Sequence, residues 1–340
     1  MLFCVLCECR VHCRPVSATL AERVLAGDPR AIARAISLIE DEDPASADLV
    51  RSIFGRTGRA YLIGVTGPPG AGKSTLVDRL VAAFRAGQAQ NSVAAVPSVG
   101  VIAVDPTSPF SGGAVLGDRL RMQAHAQDEG VFIRSMATRG HLGGLARATA
   151  DAALVLDAAG KEIIIIETVG VGQDEVDIIR TADVSIVTLV PGTGDEVQAL
   201  KAGIMEIADI FVINKADREG ADRLVSAVEA NLALHTYADG EWRPPVVTTV
   251  ATSGRGVPEL AAAIAAFREH SRATQAARRK TRSEYRLREL VAQRFMTHLE
   301  RDVLAPGELA AIVDRIAARD VDPYTAANDL LRRAALEAGR

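Results

Sequence analysis

Short apolar runs recur along the middle of the chain and alternate with stretches in which apolar residues return every three or four positions. Such runs are typical of strands that are buried on both faces, whereas the longer spacing indicates amphipathic helices. Strands that alternate with helices favour parallel pairing, because each helix carries the chain back to the start of the next strand. The pattern therefore predicts an α/β fold with a mostly parallel central sheet flanked by helices. The predicted strands are Tyr61–Thr66, Val99–Val104, Val131–Met136, Ile163–Ile166, Val184–Val190, Ile210–Ile213 and Val246–Val250.

Helical spacing also extends beyond the predicted sheet at both ends of the chain. Apolar stripes and breaks at Asp43-Pro44 and Gly55 predict three short helices between Ser17 and the first strand, packed on the outside of the sheet. From Val257 onward the pattern is helical to the end. The apolar stripe around Leu290 has no assigned partner in the sequence.

The nine residues after the first strand match the P-loop pattern G-x-x-x-x-G-K-[ST]. Their backbone N–H groups are expected to form a concave anion site at the start of the next helix. The lysine would reach the β- and γ-phosphates and would be exposed to solvent in the empty loop, while the following hydroxyl would hold Mg²⁺. The loop reads Gly67-Pro68-Pro69-Gly70-Ala71-Gly72-Lys73-Ser74-Thr75.

Further candidate residues follow other predicted strands. Asp105, Glu167, Asn214 and Ser253 each lie at or just after the carboxyl end of a strand. In an open parallel sheet, ligands bind beyond that edge. We therefore expect these side chains to gather near the P-loop.

The segment Asn214-Lys215-Ala216-Asp217 matches the guanine motif N-K-x-D. A carboxylate at Asp217 can accept from both the N1–H and the 2-amino group of guanine, and adenine would leave it unpaired. The loop Thr252-Ser253-Gly254 has the position of the segment whose backbone N–H groups meet the guanine O6. These features predict a preference for guanine nucleotides.

The segment Glu167-Thr168-Val169-Gly170 lies where GTPases usually carry D-x-x-G. The Glu167 carboxylate can hold Mg²⁺ through water, and the Gly170 N–H can contact the γ-phosphate. The nearest glutamine, Gln173, is three residues past the glycine rather than adjacent to it. A Ras-like water-positioning role for Gln173 is therefore not expected.

Composition narrows the class of protein further. A net charge of −4 argues against a general nucleic-acid binder, and no apolar run reaches the length of about 18 residues that a membrane helix needs. All four cysteines lie within residues 4–13, so we expect no disulfide framework and a cytoplasmic protein. Their spacing lacks the second paired knuckle of a structural zinc site, and residues 1–16 are expected to form a disordered extension.

Taken together, these strings resemble the MeaB/ArgK family within the SIMIBI class of P-loop GTPases, whose human member is the methylmalonic aciduria type A protein. The likeness covers Ser17 to the C-terminus. The matching strings are Gly64–Thr75, Val104–Pro109 with Gly117–Arg119, Arg134–Gly144, Glu167–Gln173, Pro191–Glu196 and Asn214–Asp217.

The resemblance implies a G-protein chaperone that binds and hydrolyses GTP with Mg²⁺. Its client would be adenosylcobalamin-dependent methylmalonyl-CoA mutase, which it would help to load, protect or reactivate. By this resemblance, Lys73 would act on the phosphates. The acidic switch cluster would consist of Asp105, Asp118 and Glu167. Ser74, Asp105 and Glu167 would hold the metal, and the segment near Pro191–Lys201 would form a third switch facing the client.

The resemblance also suggests a domain organisation and a homodimer. Residues 17–58 would form an N-terminal helical segment, 59–270 the GTPase domain, and 271–340 a helical dimerisation arm. Two alternatives remain open: a metallochaperone GTPase of the same class, and a transport-linked kinase or ATPase. The first would call for a Cys or His cluster near the switches, and the second for a protein-substrate site or a membrane contact.

Overall fold

The computed structural model describes residues 18–87, 96–105, 122–125, 127–137, 144–168, 181–192 and 207–337. The chain divides into two compact units, Met1–Ala273 and Thr274–Arg340. The boundaries expected from the sequence at residues 58 and 270 remain predictions.

The first unit is built on a seven-stranded sheet in the order β3-β2-β4-β1-β5-β6-β7, and every described strand pair is parallel. This confirms the predicted fold class. The last strand ends two residues before the predicted Val250, because Val250 instead bridges to Arg255 within the loop that follows. The strands are β1 Tyr61–Thr66, β2 Val99–Asp105, β3 Val131–Ala137, β4 Ile163–Glu167, β5 Val184–Leu189, β6 Ile210–Ile213 and β7 Val246–Thr248.

Helices cover both faces of this sheet. Every residue of β4, β5 and β6 is buried, as expected for strands that are apolar on both sides. One face packs against α4 and α7, and the other against α1, α2, α3, α5 and α6. The helices of this unit are α1 Leu20–Leu25, α2 Pro29–Glu40, α3 Ala45–Ile53, α4 Lys73–Arg85, α5 Gly144–Ala158, α6 Ala221–Leu232 and α7 Val257–His270.

The three helices predicted before the sheet are present, and local signals set their starts. Thr19 forms a capping box with Glu22 at the start of α1. Asp28 caps α2, which has Pro29 at its first position. Buried residues of all three helices pack with α5 on one face of the sheet, so this segment belongs to the same core as the strands.

The second unit is entirely helical in its described part. It contains α8 Gln275–His298, α9 Glu308–Ala317 and α10 Pro323–Glu337, with a π-helical turn at Leu299–Val303 between the first two. Leu299 and Val303 are buried against Ala334 of α10. No residue of α8 is buried, and Leu287 and Val291 on it are more than half exposed. Throughout the described chain, no helix has the length and apolar character that crossing a membrane requires.

Candidate nucleotide-binding site

The P-loop joins the carboxyl end of β1 to the amino end of α4, where the sequence places it. Gly67 has φ +141°, and a Cβ built there would lie 2.0 Å from the Thr188 carbonyl oxygen of β5. Gly72 has φ +84°, and a Cβ there would lie 2.5 Å from the Asn214 Nδ2. Both positions require glycine because of backbone conformation and close approach together. The loop is thus held tightly against the ends of β5 and β6.

Lys73 is buried, so the expectation that it would be exposed to solvent is wrong. Only 5% of the residue is accessible. Its Nζ donates to the Gly67 carbonyl at 2.7 Å and to the Pro68 carbonyl at 3.2 Å. The physical reason is that a buried ammonium needs acceptors, and the curled loop supplies its own carbonyl oxygens. The charge is therefore held inside the loop that is expected to receive phosphate.

Ser74 and Glu167 lie in contact next to the P-loop. The Ser74 Oγ donates to the Glu167 Oε1 at 2.6 Å, and both residues are buried. Glu167 is the last residue of β4, which pairs with β1 and so brings the carboxylate beside the loop. A hydroxyl and a carboxylate oxygen side by side are the hard oxygen ligands that Mg²⁺ prefers. These two residues fit the predicted metal site.

The remaining switch residues are only partly described. Asp105 ends β2, and two residues before it Ala103 is in register with Glu167 of the neighbouring β4. Its backbone therefore lies at the same sheet edge, while its side chain lies outside the described residues. Asp118, Gly170 and most of the predicted third switch also lie outside the described residues, and their roles stay predictions.

Asn214 connects the P-loop to the loop expected to meet the base. It is 2% exposed. Its Nδ2 donates to the Ala71 carbonyl at 2.8 Å, while its Oδ1 accepts from the Thr249 Oγ1 and the Ala251 N–H, each at 3.1 Å. The adjacent Lys215 has φ +55° and donates from Nζ to the Gly70 carbonyl at 2.7 Å. The first two residues of the guanine motif therefore hold the P-loop through the carbonyl groups of Ala71 and Gly70.

Asp217, the third element of that motif, is exposed close to the loop that follows β7. The Ala216 N–H donates to the Thr249 carbonyl, which places the motif beside this loop. The N–H groups of Ser253 and Gly254 both donate to the Val250 carbonyl. Within the described residues, the Thr252 N–H has no acceptor. The predicted contacts to guanine O6 from residues 252–254 stay predictions, and the Thr252 N–H is the one of the three that is not already bonded within the described loop.

Arg79 is a positioning residue that sequence reasoning missed. It lies on α4, and its guanidinium donates to the Ala251 carbonyl at 3.2 Å and to the Thr252 carbonyl at 3.0 Å. It thus fixes the loop after β7 to the helix that begins at the P-loop. An arginine on an exposed helix face carries no motif, so only the packing of α4 beside this loop could have revealed it.

The parallel sheet, the glycine-rich loop around a buried lysine, and the asparagine that ties this loop to the strand-end motif define the fold of a P-loop NTPase. The family described as methylmalonyl Co-A mutase-associated GTPase MeaB matches residues 32–303. The chain therefore belongs to the MeaB family.

Individual relatives agree with this assignment. A protein of Pyrococcus abyssi named as a GTPase is 50% identical over 319 residues, which cover 92% of this chain and 95% of that protein. The methylmalonic aciduria type A homolog of Mus musculus is 31% identical over 325 residues, covering 90% and 76% respectively. The crystal structure of an LAO/AO transport system kinase is similar with a TM-score of 0.67 and 28% identity, covering 92% of this chain and 95% of that one.

Proposed function

We propose that this protein binds and hydrolyses GTP and acts as a G-protein chaperone of adenosylcobalamin-dependent methylmalonyl-CoA mutase. The observation that carries the nucleotide part is the buried Ser74–Glu167 contact at 2.6 Å beside the buried Lys73. The family description and the name of the mouse relative support the choice of client. We assign the loading, protection or reactivation of that mutase to the change between the GTP-bound and GDP-bound states of this protein.

Phosphate binding rests on a change of partners at Lys73. Its ammonium now holds the Gly67 and Pro68 carbonyl groups, which are neutral acceptors. Phosphate oxygens are charged acceptors and form stronger hydrogen bonds with an ammonium. The β- and γ-phosphates of GTP would therefore draw Nζ from the carbonyl groups, while the loop stays braced by Asn214 and Lys215 from outside.

Ser74 and Glu167 would hold Mg²⁺, with Asp105 as the third expected ligand. The ion would supply neutralisation of the charge that develops on the transferred phosphoryl group. In the contact described here the Ser74 hydroxyl donates to Glu167. The Ser74 oxygen keeps lone pairs that can face a cation while its hydrogen stays on Glu167, so this contact is compatible with a bound Mg²⁺ as it stands.

Guanine recognition is assigned to Asp217 and to the loop Thr252-Ser253-Gly254, in which the Thr252 N–H is not already bonded within the described loop. Calorimetry should give much tighter binding of GTP than of ATP, because adenine has no donor pair for the Asp217 carboxylate. Asp217→Asn should weaken GTP binding and favour xanthosine nucleotides. Asp222→Asn, also exposed and in the first turn of α6, is the matched control and should leave the preference unchanged. Equal affinity of the native protein for ATP and GTP would contradict the assignment.

The proposed client is tested by binding in two nucleotide states. Protein loaded with GDP or with a non-hydrolysable GTP analogue is mixed with the purified mutase and separated by size-exclusion chromatography. We expect a complex whose stability differs between the two states, because a switch must have differential affinity for its partner to transmit its state. If neither state binds the mutase, the proposed client is wrong.

The two alternatives stay hypotheses, because most of the predicted switch segments and all four cysteines lie outside the described residues. No group of three or more His, Cys, Asp or Glu side chains placed to hold a metal ion occurs among the described residues. The name LAO/AO transport system kinase belongs to the similar crystal structure and does not assign a transport-linked activity to this chain. The proposal and both alternatives all predict nucleotide binding, so the nucleotide assays do not distinguish them. The mutase experiment does, because only the proposal predicts binding to the mutase.

A further inference from the structure

A second polar cavity lies at the edge of the sheet opposite the P-loop. Its volume is about 780 Å³. It opens at the amino ends of β1 and β4, between the segment that precedes β1, the end of α5 and the last turn of α7. Six residues on β1 separate it from the P-loop, so the two sites are about 17–20 Å apart. The charged residues that line it are Arg56, Arg59, Asp157, Lys161, Glu162 and Arg268.

The two carboxylates of this cavity already have backbone partners. Asp157 is buried and accepts from the N–H groups of Gly58, Arg59 and Ala60. Glu162 accepts from the Ser98 N–H at 2.9 Å. Neither carboxylate is paired with a guanidinium of the cavity wall in the described structure. Four cationic side chains against two carboxylates give this cavity a positive excess in a chain whose net charge is −4.

The three arginines of this cavity are solvent-exposed and can contact an external partner. In the part of the chain that the structure describes, the guanidinium groups of Arg56 and Arg59 have no hydrogen-bond or ion-pair partner. The Arg268 guanidinium lies over the Tyr61 ring, 4.8 Å from the ring centroid. A guanidinium held over a ring face in this way can still donate from its N–H groups to another acceptor.

The charged form of Lys161 is disfavoured by its surroundings in the protein. Its Nζ donates to the Gly130 carbonyl at 3.1 Å. Burial lowers the pKa of Lys161, and the nearby Arg85 guanidinium lowers it further. The nearby Asp128 carboxylate raises this pKa and so partly offsets both effects, and an anion bound close to Lys161 would act in the same direction.

We propose that this cavity binds a small anionic molecule with two or more phosphate or carboxylate groups. Arginine presents a planar fork that matches both groups in a bidentate manner. The volume falls within the range of about 300–1,000 Å³ that is usual for small-molecule sites, and the cavity is concave rather than a flat basic patch. The ligand is thus a compact polyanion, bound independently of the nucleotide at the other edge of the sheet.

The test is calorimetric titration of the full-length protein with inorganic tripolyphosphate. The protein is first saturated with GDP in a buffer without Mg²⁺, so that the P-loop is filled and the tripolyphosphate has no Mg²⁺ to chelate. We expect one further binding event, and at least a tenfold loss of affinity in the double variant Arg56→Gln, Arg59→Gln. Arg223→Gln, an exposed arginine on α6, is the control and should bind tripolyphosphate as the native protein does.

The proposal fails if GDP-loaded protein binds no tripolyphosphate at millimolar concentration. It also fails if the double variant binds as well as the native protein, or if tripolyphosphate displaces GDP, because the anion would then occupy the P-loop. Thermal unfolding of the double variant serves as the fold check, and Arg268→Gln provides a second variant if the double variant does not fold. Since no mutase is used, the outcome is independent of the proposed client.

Discussion

Replacing Asn214 with alanine should separate the P-loop from the loop that follows β7. The substitution leaves three buried groups without their present partners: the Ala71 carbonyl, the Thr249 hydroxyl and the Ala251 N–H. A buried polar group left unsatisfied costs about 1–3 kcal/mol, so about 3 kcal/mol is the lower end for the three together. We therefore expect Asn214→Ala to lower the free energy of unfolding by about 3 kcal/mol or more.

The same change should weaken nucleotide binding. The P-loop loses its contact at Ala71 and the base-facing loop loses its contact at Ala251, so both must be ordered when the nucleotide binds. We expect GDP affinity to fall at least about tenfold, equivalent to about 1.4 kcal/mol. Urea unfolding gives the stability, and titration with a fluorescent GDP analogue gives the affinity.

Two further variants sharpen this experiment. Asn231→Ala is the matched control, because Asn231 is exposed on α6 and its Nδ2 makes a single bond to the Ala227 carbonyl; its effect should stay within about 0.5 kcal/mol. Asn214→Asp keeps an oxygen acceptor but loses the donor to Ala71. If Asn214→Ala matches Asn231→Ala in both stability and GDP affinity, the bracing role assigned to Asn214 is refuted.

Three other predictions follow from described contacts. Gly67→Ala should abolish nucleotide binding in calorimetry, since its Cβ would lie 2.0 Å from a carbonyl oxygen of β5. Gly70 has open space around it, so Gly70→Ala should lower the free energy of unfolding by only about 1–2 kcal/mol. Lys73→Ala should reduce GTP affinity about tenfold to a hundredfold in calorimetry, since charge-assisted bonds are worth about 1.5–3 kcal/mol each. The variant also leaves the Gly67 and Pro68 carbonyl groups without their partner, so we expect a less stable protein that still folds, which urea unfolding checks. Native affinity for GTP would refute the P-loop assignment. Arg333 holds the pKa of Glu308 at about 2, below its usual 4.5. The ion pair between these two residues therefore contributes its full stabilisation above pH 4.5 and loses it as the pH falls toward 2. Glu308→Gln should therefore flatten the pH dependence of the helical circular-dichroism melt across that window, and an unchanged profile would contradict the pair.

The sheet could be predicted from the sequence because its strands are short, apolar on both faces and separated by amphipathic helices. Strand positions matched to within two residues, and the P-loop lies between the expected strand and helix. The one shift of this size, at the end of β7, arises from the bridge between Val250 and Arg255. A bridge of this kind depends on loop geometry, which apolar periodicity does not record.

The details of the site depended on packing between distant segments. The burial of Lys73 follows from the way the loop folds over its own ammonium. The contacts of Asn214 and Arg79 join segments far apart in sequence, and no local pattern marks them. The guanine motif marks candidate residues in the sequence, while the structure adds that Asn214 and Lys215 contact the P-loop.

Single-turnover GTP hydrolysis, with and without adenosylcobalamin-dependent methylmalonyl-CoA mutase, tests the central claim most directly. No glutamine adjoins Gly170 to orient the attacking water, and poor positioning can cost orders of magnitude in rate. We therefore expect slow hydrolysis by the protein alone, faster hydrolysis when the mutase is added, and none above background in Lys73→Ala. An unrelated protein of similar size should not change the rate. Absence of GTP hydrolysis under both conditions, or a rate that the mutase leaves unchanged, would contradict the account.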